Sequence, residues 1–343
     1  MPTPQVSSND RTVVCFLGTL RALNLTRDNL IEKVIEPLHA DVMICFNRLT
    51  SSDEDSLKYF DGLNVVDVCI HEEGKNGYEE LLDEYSRRLN VESRWREYLD
   101  IEGNWLGGIQ GLKGTGIIGQ INPWKLLERI QYVQSRGGNY RRFVITRSDF
   151  FWLTEHPPLR LLDPRYLWIP TGQDYGGYSE RHGVCSEKNI QQYLSTLEYM
   201  IDYRAMRYLA EVKNSNPRRS LNGETQFKHH LDYCGVRVGR FKSVAYLTGD
   251  SSTPTSWSKV KTLPVAGKVY SFKYGTELKE ALRNSEEFQK HEDWNQMILK
   301  PSLLHEFLRL TNARIRYRTP TLYRLLVRLR LKLGAVSSHP TVF

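Results

Sequence analysis

Two charged residues follow a short apolar run in the middle of this sequence. Phe143, Val144 and Ile145 indicate a buried strand, and Arg147 and Asp149 come directly after it. Ligands of open α/β sheets bind at the carboxyl ends of strands, and a buried strand has no use for such charges. We therefore expect Asp149 to face a divalent metal or a sugar. A strand-end turn, or a salt bridge to Arg147, is the alternative interpretation.

A second candidate segment lies at residues 173–183, where two glycines stand among acids, an arginine, a histidine and tyrosines. Its candidate site residues are Asp174, Tyr175, Gly176, Gly177, Glu180, Arg181 and His182. Further along, Asn222 is a typical first residue of a helix, which puts Glu224 in the first helical turn. That position suits a general base, although the helix dipole favours an acid there without any catalytic role.

The elements that would position these residues alternate along the chain. Residues 12–17 read as a strand, residues 30–35 as a helix and residues 41–46 as a second strand, which is a βαβ unit with parallel strands. Residues 65–70, 166–170 and 236–241 add further strands. We predict an α/β fold with a mostly parallel central sheet flanked by helices. Residues 114–119 match the dinucleotide fingerprint, but no strand precedes them and no acid follows at the required distance.

Composition narrows the class of protein. The 343 residues are 40% hydrophobic and 25% charged, which is ordinary for a globular chain. No run of about 18 apolar residues predicts a membrane span, and residues 1–11 are polar and lack a signal sequence. The five cysteines are an odd number without the spacing of a closed zinc site, which indicates free thiols in a reducing compartment. We expect a cytoplasmic protein.

The positive charge is concentrated at the carboxyl end. Residues 301–343 contain eight basic residues and one acidic residue, which equals the whole net charge of +7. In residues 321–333 Arg324 and Arg328 lie opposite a helical face that is shared by Leu322, Leu325, Leu326, Leu329 and Leu333. This pattern is typical of a helix on an anionic membrane surface. The same leucines could instead pack on the domain. Because residues 1–300 are neutral, no nucleic acid partner is expected.

Two motifs in order resemble a known family. The stretches from Arg147 to Trp152 and from Asp174 to His182 are similar to the R-[ST]-D-x-x-W and D-Y-G-G-x-x-x-R-H motifs of a GT-A-type family of nucleotide-sugar-dependent glycosyltransferases from bacteria, algae and large algal viruses. The turn from Gly18 to Arg21 belongs to the same resemblance. It implies a GT-A-like (Rossmann-like) catalytic domain over residues 11–250, with a donor half to residue 152 and an acceptor half from residue 153. Residues 1–10 would be flexible, and residues 251–343 would form a linker and a basic helical extension.

The resemblance also implies roles. A sugar would move from a nucleotide diphosphate sugar, with UDP expected, to a hydroxyl of a glycan or glycolipid. The nucleotide and donor would be bound by Gly18, Arg21, Arg147 and Asp149. Asp149 would ligate Mn²⁺ or Mg²⁺, although the class has two carboxylates where this chain has one. Replacing it should then abolish activity and leave the fold intact.

For an inverting reaction the carboxylate base would be Glu224, with Asp174 and Glu180 as rivals. Contacts to the acceptor or sugar would come from Trp152, Tyr175, Gly176, Gly177, Arg181 and His182. A different class remains open: a non-enzymatic α/β module that binds anionic membrane or nucleic acid through its basic tail. A third class, a kinase or other phosphate enzyme, is disfavoured because the sequence contains no phosphate-binding P-loop.

Overall fold

The computed structural model describes residues 11–47, 51–71, 78–91, 95–100, 108–109, 112–113, 119–201, 222–250, 259–299, 301–319, 321–323 and 325. The strands of this part of the chain are β1 (Arg11–Leu17), β2 (Asp41–Asn47), β3 (Val65–His71), β4 (Gly108–Ile109), β5 (Leu112–Lys113), β6 (Tyr140–Thr146), β7 (Phe150–Trp152), β8 (Leu167–Pro170), β9 (Gly183–Ser186), β10 (Val238–Phe241), β11 (Ala245–Leu247), β12 (Lys261–Val265), β13 (Lys268–Phe272) and β14 (Ile298–Leu299).

The α-helices described are α1 (Leu23–Leu30), α2 (Glu79–Leu89), α3 (Ile121–Ser135), α4 (Ile190–Leu194), α5 (Thr196–Ile201), α6 (Gly223–Cys234), α7 (Gly275–His291) and α8 (Leu303–Arg318). Helix α1 continues into a π-helical turn at Ile31–Ile35. Short 3₁₀ segments lie at Ser51–Phe60, Trp95–Asp100, Leu159–Leu161 and Trp294–Gln296.

Eight strands form one sheet in the order β14-β10-β8-β9-β6-β1-β2-β3. The pairs β1–β2, β1–β6, β2–β3 and β8–β10 are parallel, whereas β9 runs antiparallel to both β6 and β8, and β14 runs antiparallel to β10. Six strands therefore run in one direction, so their carboxyl ends meet at one edge of the sheet. The mostly parallel sheet flanked by helices confirms the predicted fold class.

Both faces of the sheet are covered, which explains why its strands are continuous apolar runs rather than alternating ones. From β1, Val14 and Phe16 belong to a core layer that includes residues of α1, while Val13 and Cys15 pack with residues of α3, α4 and α6. Burying one large apolar side chain contributes about 1.5–3 kcal/mol, so these two layers hold the sheet edge and its turns in place.

Residues 259–299 are joined to the main sheet. Strand β14 pairs with β10, helix α7 packs beside β11, and β11 in turn pairs with β7, which directly follows the Arg147–Asp149 turn. The domain boundary near residue 250 stays a prediction. The chain beyond it nevertheless supplies side chains to the edge where β6 ends.

Several local predictions can be compared with the structure. Asn222 caps α6 as predicted, in a capping box with Thr225. Strand β9 was not predicted. Three predictions fall mostly or wholly outside the described residues: a flexible segment at residues 1–10, the fingerprint at residues 114–119 and the amphipathic segment 321–333. No helix among those described is long and apolar enough to cross a membrane.

Candidate functional site

A cavity of about 240 Å³ opens at the edge of the sheet where β1 and β6 end. These two strands are parallel neighbours, with Phe16 opposite Thr146, so the residues that follow them emerge side by side. The residues that line the cavity are Leu17, Gly18, Thr19, Arg21, Gly119, Gln120, Asn122, Pro123, Ile145, Thr146, Arg147, Glu180, Arg181, Tyr193, Thr196, Gly223 and Phe227. It therefore brings together Gly18, Arg21, Arg147, Glu180 and Arg181 from the predicted set.

Ser148 joins the two turns that carry the cavity arginines. Its hydroxyl accepts a 2.8 Å hydrogen bond from the backbone N–H of Arg21 and donates to the Arg21 carbonyl at 3.0 Å. Its own carbonyl accepts from the Thr26 hydroxyl at 2.6 Å. Gly18, with φ of 94°, makes the sharp turn after β1. The serine of the first motif thus holds Arg21 beside Arg147.

Asp149 lies behind the cavity and is only 1% exposed. Arg147 donates to both carboxylate oxygens, from Nε to Oδ1 at 2.9 Å and from Nη2 to Oδ2 at 2.8 Å, and the ammonium of Lys273 donates to Oδ2 at 2.6 Å. Burial alone raises the pKa of Asp149, but the charges and hydrogen bonds of Arg147 and Lys273 outweigh it and hold the pKa well below its ordinary value. Asp149 therefore forms the salt bridge to Arg147 that was the alternative interpretation of its role.

The charge of Arg21 is less well compensated. Burial lowers the pKa of Arg21, and the neighbouring positive charge of Arg147 lowers it further. Its Nε is buried and has no hydrogen-bond partner in the part of the chain that the structure describes. Arg21 lines the cavity, and an anion there would offset the repulsion between its charge and that of Arg147. Arg181, by contrast, pairs with Glu277 at 3.5 Å and lies over the ring of Tyr274.

Two carboxylates stand near each other on the other side of the cavity. Glu180 lines the cavity, and Glu224 follows Gly223, which lines it as well. Burial raises the pKa of Glu224, and the negative charge of Glu180 raises it further, to about 7. This shift overrides the helix dipole, which would favour the ionised form at the start of α6. Glu224 therefore exchanges its proton close to neutral pH, as a general base must.

The second motif packs directly against the start of α6. The N–H of Tyr178 donates a 3.0 Å hydrogen bond to the carbonyl of Glu224, and the side chain of Asn222 donates to the carbonyl of Tyr175 at 3.0 Å. A β carbon on Gly177 would overlap the backbone of Glu224. The glycines of this loop therefore permit a close approach of two backbones, and their predicted contact with sugar stays a prediction.

Other predicted residues lie outside the cavity lining. Asp174 accepts hydrogen bonds from Arg240 at 2.8 Å on both oxygens, and burial raises its pKa despite this ion pair. Trp152 is buried against His156 and His182, so it belongs to the core. Tyr175 is 56% exposed, and Gly176 beside it is exposed as well.

His182 is buried behind the cavity wall. Its Nδ1 forms a 3.1 Å hydrogen bond with the Thr146 hydroxyl, and its Nε2 lies 3.3 Å from Nε2 of His156. Burial lowers the pKa of both histidines, for His156 to about 3. The pair is neutral and orients Thr146, which does line the cavity.

The described residues do not fit a divalent metal at Asp149. Mg²⁺ and Mn²⁺ need several oxygen ligands, and both oxygens of this carboxylate are held by cations. Among the described residues, no group of three or more His, Cys, Asp or Glu side chains could hold a metal ion. The use of a metal by this protein stays a prediction.

Sequence reasoning missed Lys273 and Glu277. Both come from the segment around β13 and α7, which was predicted to be a linker and extension. Glu277 accepts a 3.0 Å hydrogen bond from the backbone N–H of Leu247 and pairs with Arg181. No local pattern around Lys273 distinguishes it from other lysines. Its role depends on the pairing of β11 with β7, which brings it to Asp149.

Comparison with solved structures finds remote likenesses. The PaToxG glycosyltransferase aligns at 12% identity over 65% of this chain and 67% of that chain, with a TM-score of 0.28. The apo form of mouse xyloside xylosyltransferase 1 aligns at 11% identity over 64% of this chain and 80% of that chain, with a TM-score of 0.34. No protein-family model and no curated protein matches the sequence. The cavity itself therefore carries the functional conclusion.

Proposed function

We propose that this chain is a glycosyltransferase that moves a sugar from a nucleotide diphosphate sugar to a hydroxyl group of a glycan or glycolipid. The observation that carries the proposal is the division of charge around one cavity. Arg21 and Arg147 approach it from the turns after β1 and β6, and Glu180 with the neighbouring Glu224 stands on the side of α6. A departing diphosphate needs the first group, and an acceptor hydroxyl needs the second.

The reaction can be written with these side chains. The acceptor oxygen forms a bond to the anomeric carbon as the bond from that carbon to the diphosphate oxygen breaks. The acceptor proton passes to the carboxylate of Glu224, and the bonding electrons leave with the nucleoside diphosphate, whose charge Arg21 and Arg147 stabilise. A single displacement of this kind inverts the anomeric centre. Glu180 keeps Glu224 basic enough to accept the proton near neutral pH.

The test is a panel of UDP-, GDP-, ADP- and CDP-sugars, each measured for hydrolysis and for thermal stabilisation of the protein, with and without Mn²⁺. A UDP-sugar is the donor we expect. Stabilisation by one nucleotide sugar together with its slow hydrolysis would support the proposal. If no nucleotide sugar in the panel stabilises the protein or is hydrolysed, the proposal is wrong.

A second property concerns association with lipid. Helix α8 exposes Leu303, Leu304, Phe307 and Leu308, of which Leu303 is 74% and Phe307 65% exposed. At 100° per residue, the exposed Arg314 and Arg318 fall on this same face about two to four turns later. Apolar side chains followed by cations match a bilayer with anionic headgroups.

We propose that the enzyme associates peripherally with an anionic membrane through this face and through residues 320–333. That location would suit a glycolipid acceptor. The alternative function, a non-enzymatic module that binds membrane or nucleic acid through its tail, does not require the charged cavity. It would be favoured by lipid or oligonucleotide binding without any response to nucleotide sugars.

A further inference from the structure

The cations at the end of β6 form a connected cluster around one carboxylate. Arg147 and Lys273 both donate to Asp149, and Lys273 is only 5% exposed. Arg147 uses Nε and Nη2 for Asp149 and also lines the cavity. The forked contact fixes the plane of the guanidinium, because two parallel hydrogen bonds allow one orientation. We call Arg147, Asp149 and Lys273 the Asp149 cluster.

The local charge is positive. Three cations, Arg21, Arg147 and Lys273, interact with the single negative charge of Asp149. Burial lowers the pKa of Arg21, and Arg147 lowers it further. Burial also lowers the pKa of Lys273, and the attraction of Asp149 does not fully offset it. Arg181 pairs with Glu277, whose carboxylate also interacts with Asp149 and Arg147. Glu180 lines the same cavity, and its negative charge also acts on Arg147. An excess of positive charge remains where β1 and β6 end.

We propose that Arg21 and Arg147 form a diphosphate-binding site that works without a divalent metal, and that Asp149 and Lys273 are positioning residues that hold Arg147 in it. The inference rests on the proposed function for the identity of its ligand, the diphosphate of the donor. Arg21 contributes a second cation that lines the cavity, and Arg147 contributes a guanidinium already oriented. Lys273 adds charge from behind Asp149 without needing to reach the ligand.

The same geometry opposes a metal at this place. A divalent cation at Asp149 would have to displace an ammonium at 2.6 Å and a forked guanidinium, and the displaced cations would then repel it. A diphosphate meets no such obstacle, since guanidinium groups bind phosphate oxygens through paired donors. The single carboxylate of the first motif can therefore hold Arg147 in position, a role that requires no second carboxylate.

Inorganic pyrophosphate in EDTA is the probe, because it reports the anion site whatever base the donor carries. Calorimetry should detect binding to the intact chain without metal, and added MgCl₂ should not tighten it. Arg21→Gln and Arg147→Lys should each weaken binding about 10- to 100-fold, the usual effect of losing a charge-assisted hydrogen bond. Arg160→Ala, which removes an exposed arginine outside the cavity lining, is the matched control and should bind as the parent does.

The positioning roles are tested separately. Lys273→Met should weaken pyrophosphate binding and Lys273→Arg should restore it, a rescue that loss of packing alone would not explain. Because Arg21 makes no side-chain hydrogen bond within the described chain through its Nε, Arg21→Gln keeps the test valid even if an Asp149 cluster variant fails to fold.

Four outcomes are decisive. If pyrophosphate binds only with Mg²⁺ or Mn²⁺, the metal-free site is wrong even if sugar transfer is observed. The same conclusion follows if Arg21→Gln binds pyrophosphate as tightly as the parent protein does. Metal-free binding that depends on Arg21 and Arg147, without activity on any nucleotide sugar, would uphold the site and refute the transferase. Binding that Lys273→Met leaves unchanged would remove Lys273 from the site.

Discussion

Gly177 lies so close to Glu224 that a β carbon on the glycine would overlap the glutamate carbonyl. The adjacent N–H of Tyr178 donates to that same carbonyl at 3.0 Å. The loop of the second motif therefore sets the position of the proposed base through its backbone. The nearby carboxylate of Glu180 acts on Glu224 through charge, so one loop controls both the place and the acidity of the base.

Replacing Gly177→Ala should lower kcat by about 100-fold, because the clash must move either the loop or the start of α6, and catalysis falls steeply with misplacement of about 1 Å. Steady-state kinetics on the donor found in the panel would measure it. Gly275→Ala is a suitable control, since a β carbon there would meet Phe272 at an ordinary 3.5 Å. Unchanged kcat in Gly177→Ala would mean that the contact with Glu224 is not needed.

Glu224→Gln should lower kcat by about 100- to 10,000-fold, the range for loss of a general base, because the amide cannot accept the acceptor proton. The dissociation constant of the donor should stay the same, since Arg21 and Arg147 are untouched. Donor titration followed by single-turnover measurement separates the two effects. Loss of donor binding with normal chemistry would instead assign Glu224 to the nucleotide site.

The pH dependence follows from the sign of the pKa shift. Glu224 acts as a base only when ionised, and its pKa is raised to about 7, so kcat/KM should increase with pH through that value and level off above it. Glu180→Gln removes a neighbouring negative charge. Its removal favours the ionised form of Glu224 and should move the rising part of the profile to lower pH. A profile unchanged by Glu180→Gln would show that the two carboxylates do not interact.

Asp149→Ala should destabilise the protein by about 3–5 kcal/mol, because it leaves the buried Lys273 and Arg147 without their counter-charge. The sequence alone suggested that this variant would leave the fold intact, and the 1% exposure of Asp149 within an ion-pair cluster argues against that expectation. Denaturant unfolding would measure the loss. Asp149→Ala combined with Lys273→Met should lose less than the sum of the two single changes.

Leu304→Asp with Phe307→Asp should reduce sedimentation with phosphatidylserine vesicles and leave the free energy of unfolding unchanged, because both side chains face solvent. Leu25→Asp, an exposed leucine on α1, controls for the added charge. Vesicle binding that is equally strong in the double variant would exclude this face. If the parent protein forms dimers and the double variant does not, this face binds another copy of the chain.

Much of the fold and part of the site follow from the sequence. Apolar runs at short intervals predict the strands, since parallel strands covered on both faces contain little else, and the glycine after β1 and the charges after β6 mark the edge where ligands bind. The segments that carry Arg21, Arg147, Glu180 and Glu224 are therefore recognisable from local patterns. Those patterns also predict the capped start of α6 correctly.

The tertiary structure decides what each charge faces. Whether Asp149 meets a metal or two cations depends on Lys273, which lies 124 residues away and reaches it only because β11 pairs with β7. Likewise the pKa of Glu224 is raised to about 7 because the folded chain buries its carboxylate and, secondly, because the loop at Gly177 brings the negative charge of Glu180 near it. Burial and charge depend on neighbours that are distant along the chain, so local patterns can identify the reactive residue types and only the folded chain sets their partners and acidity.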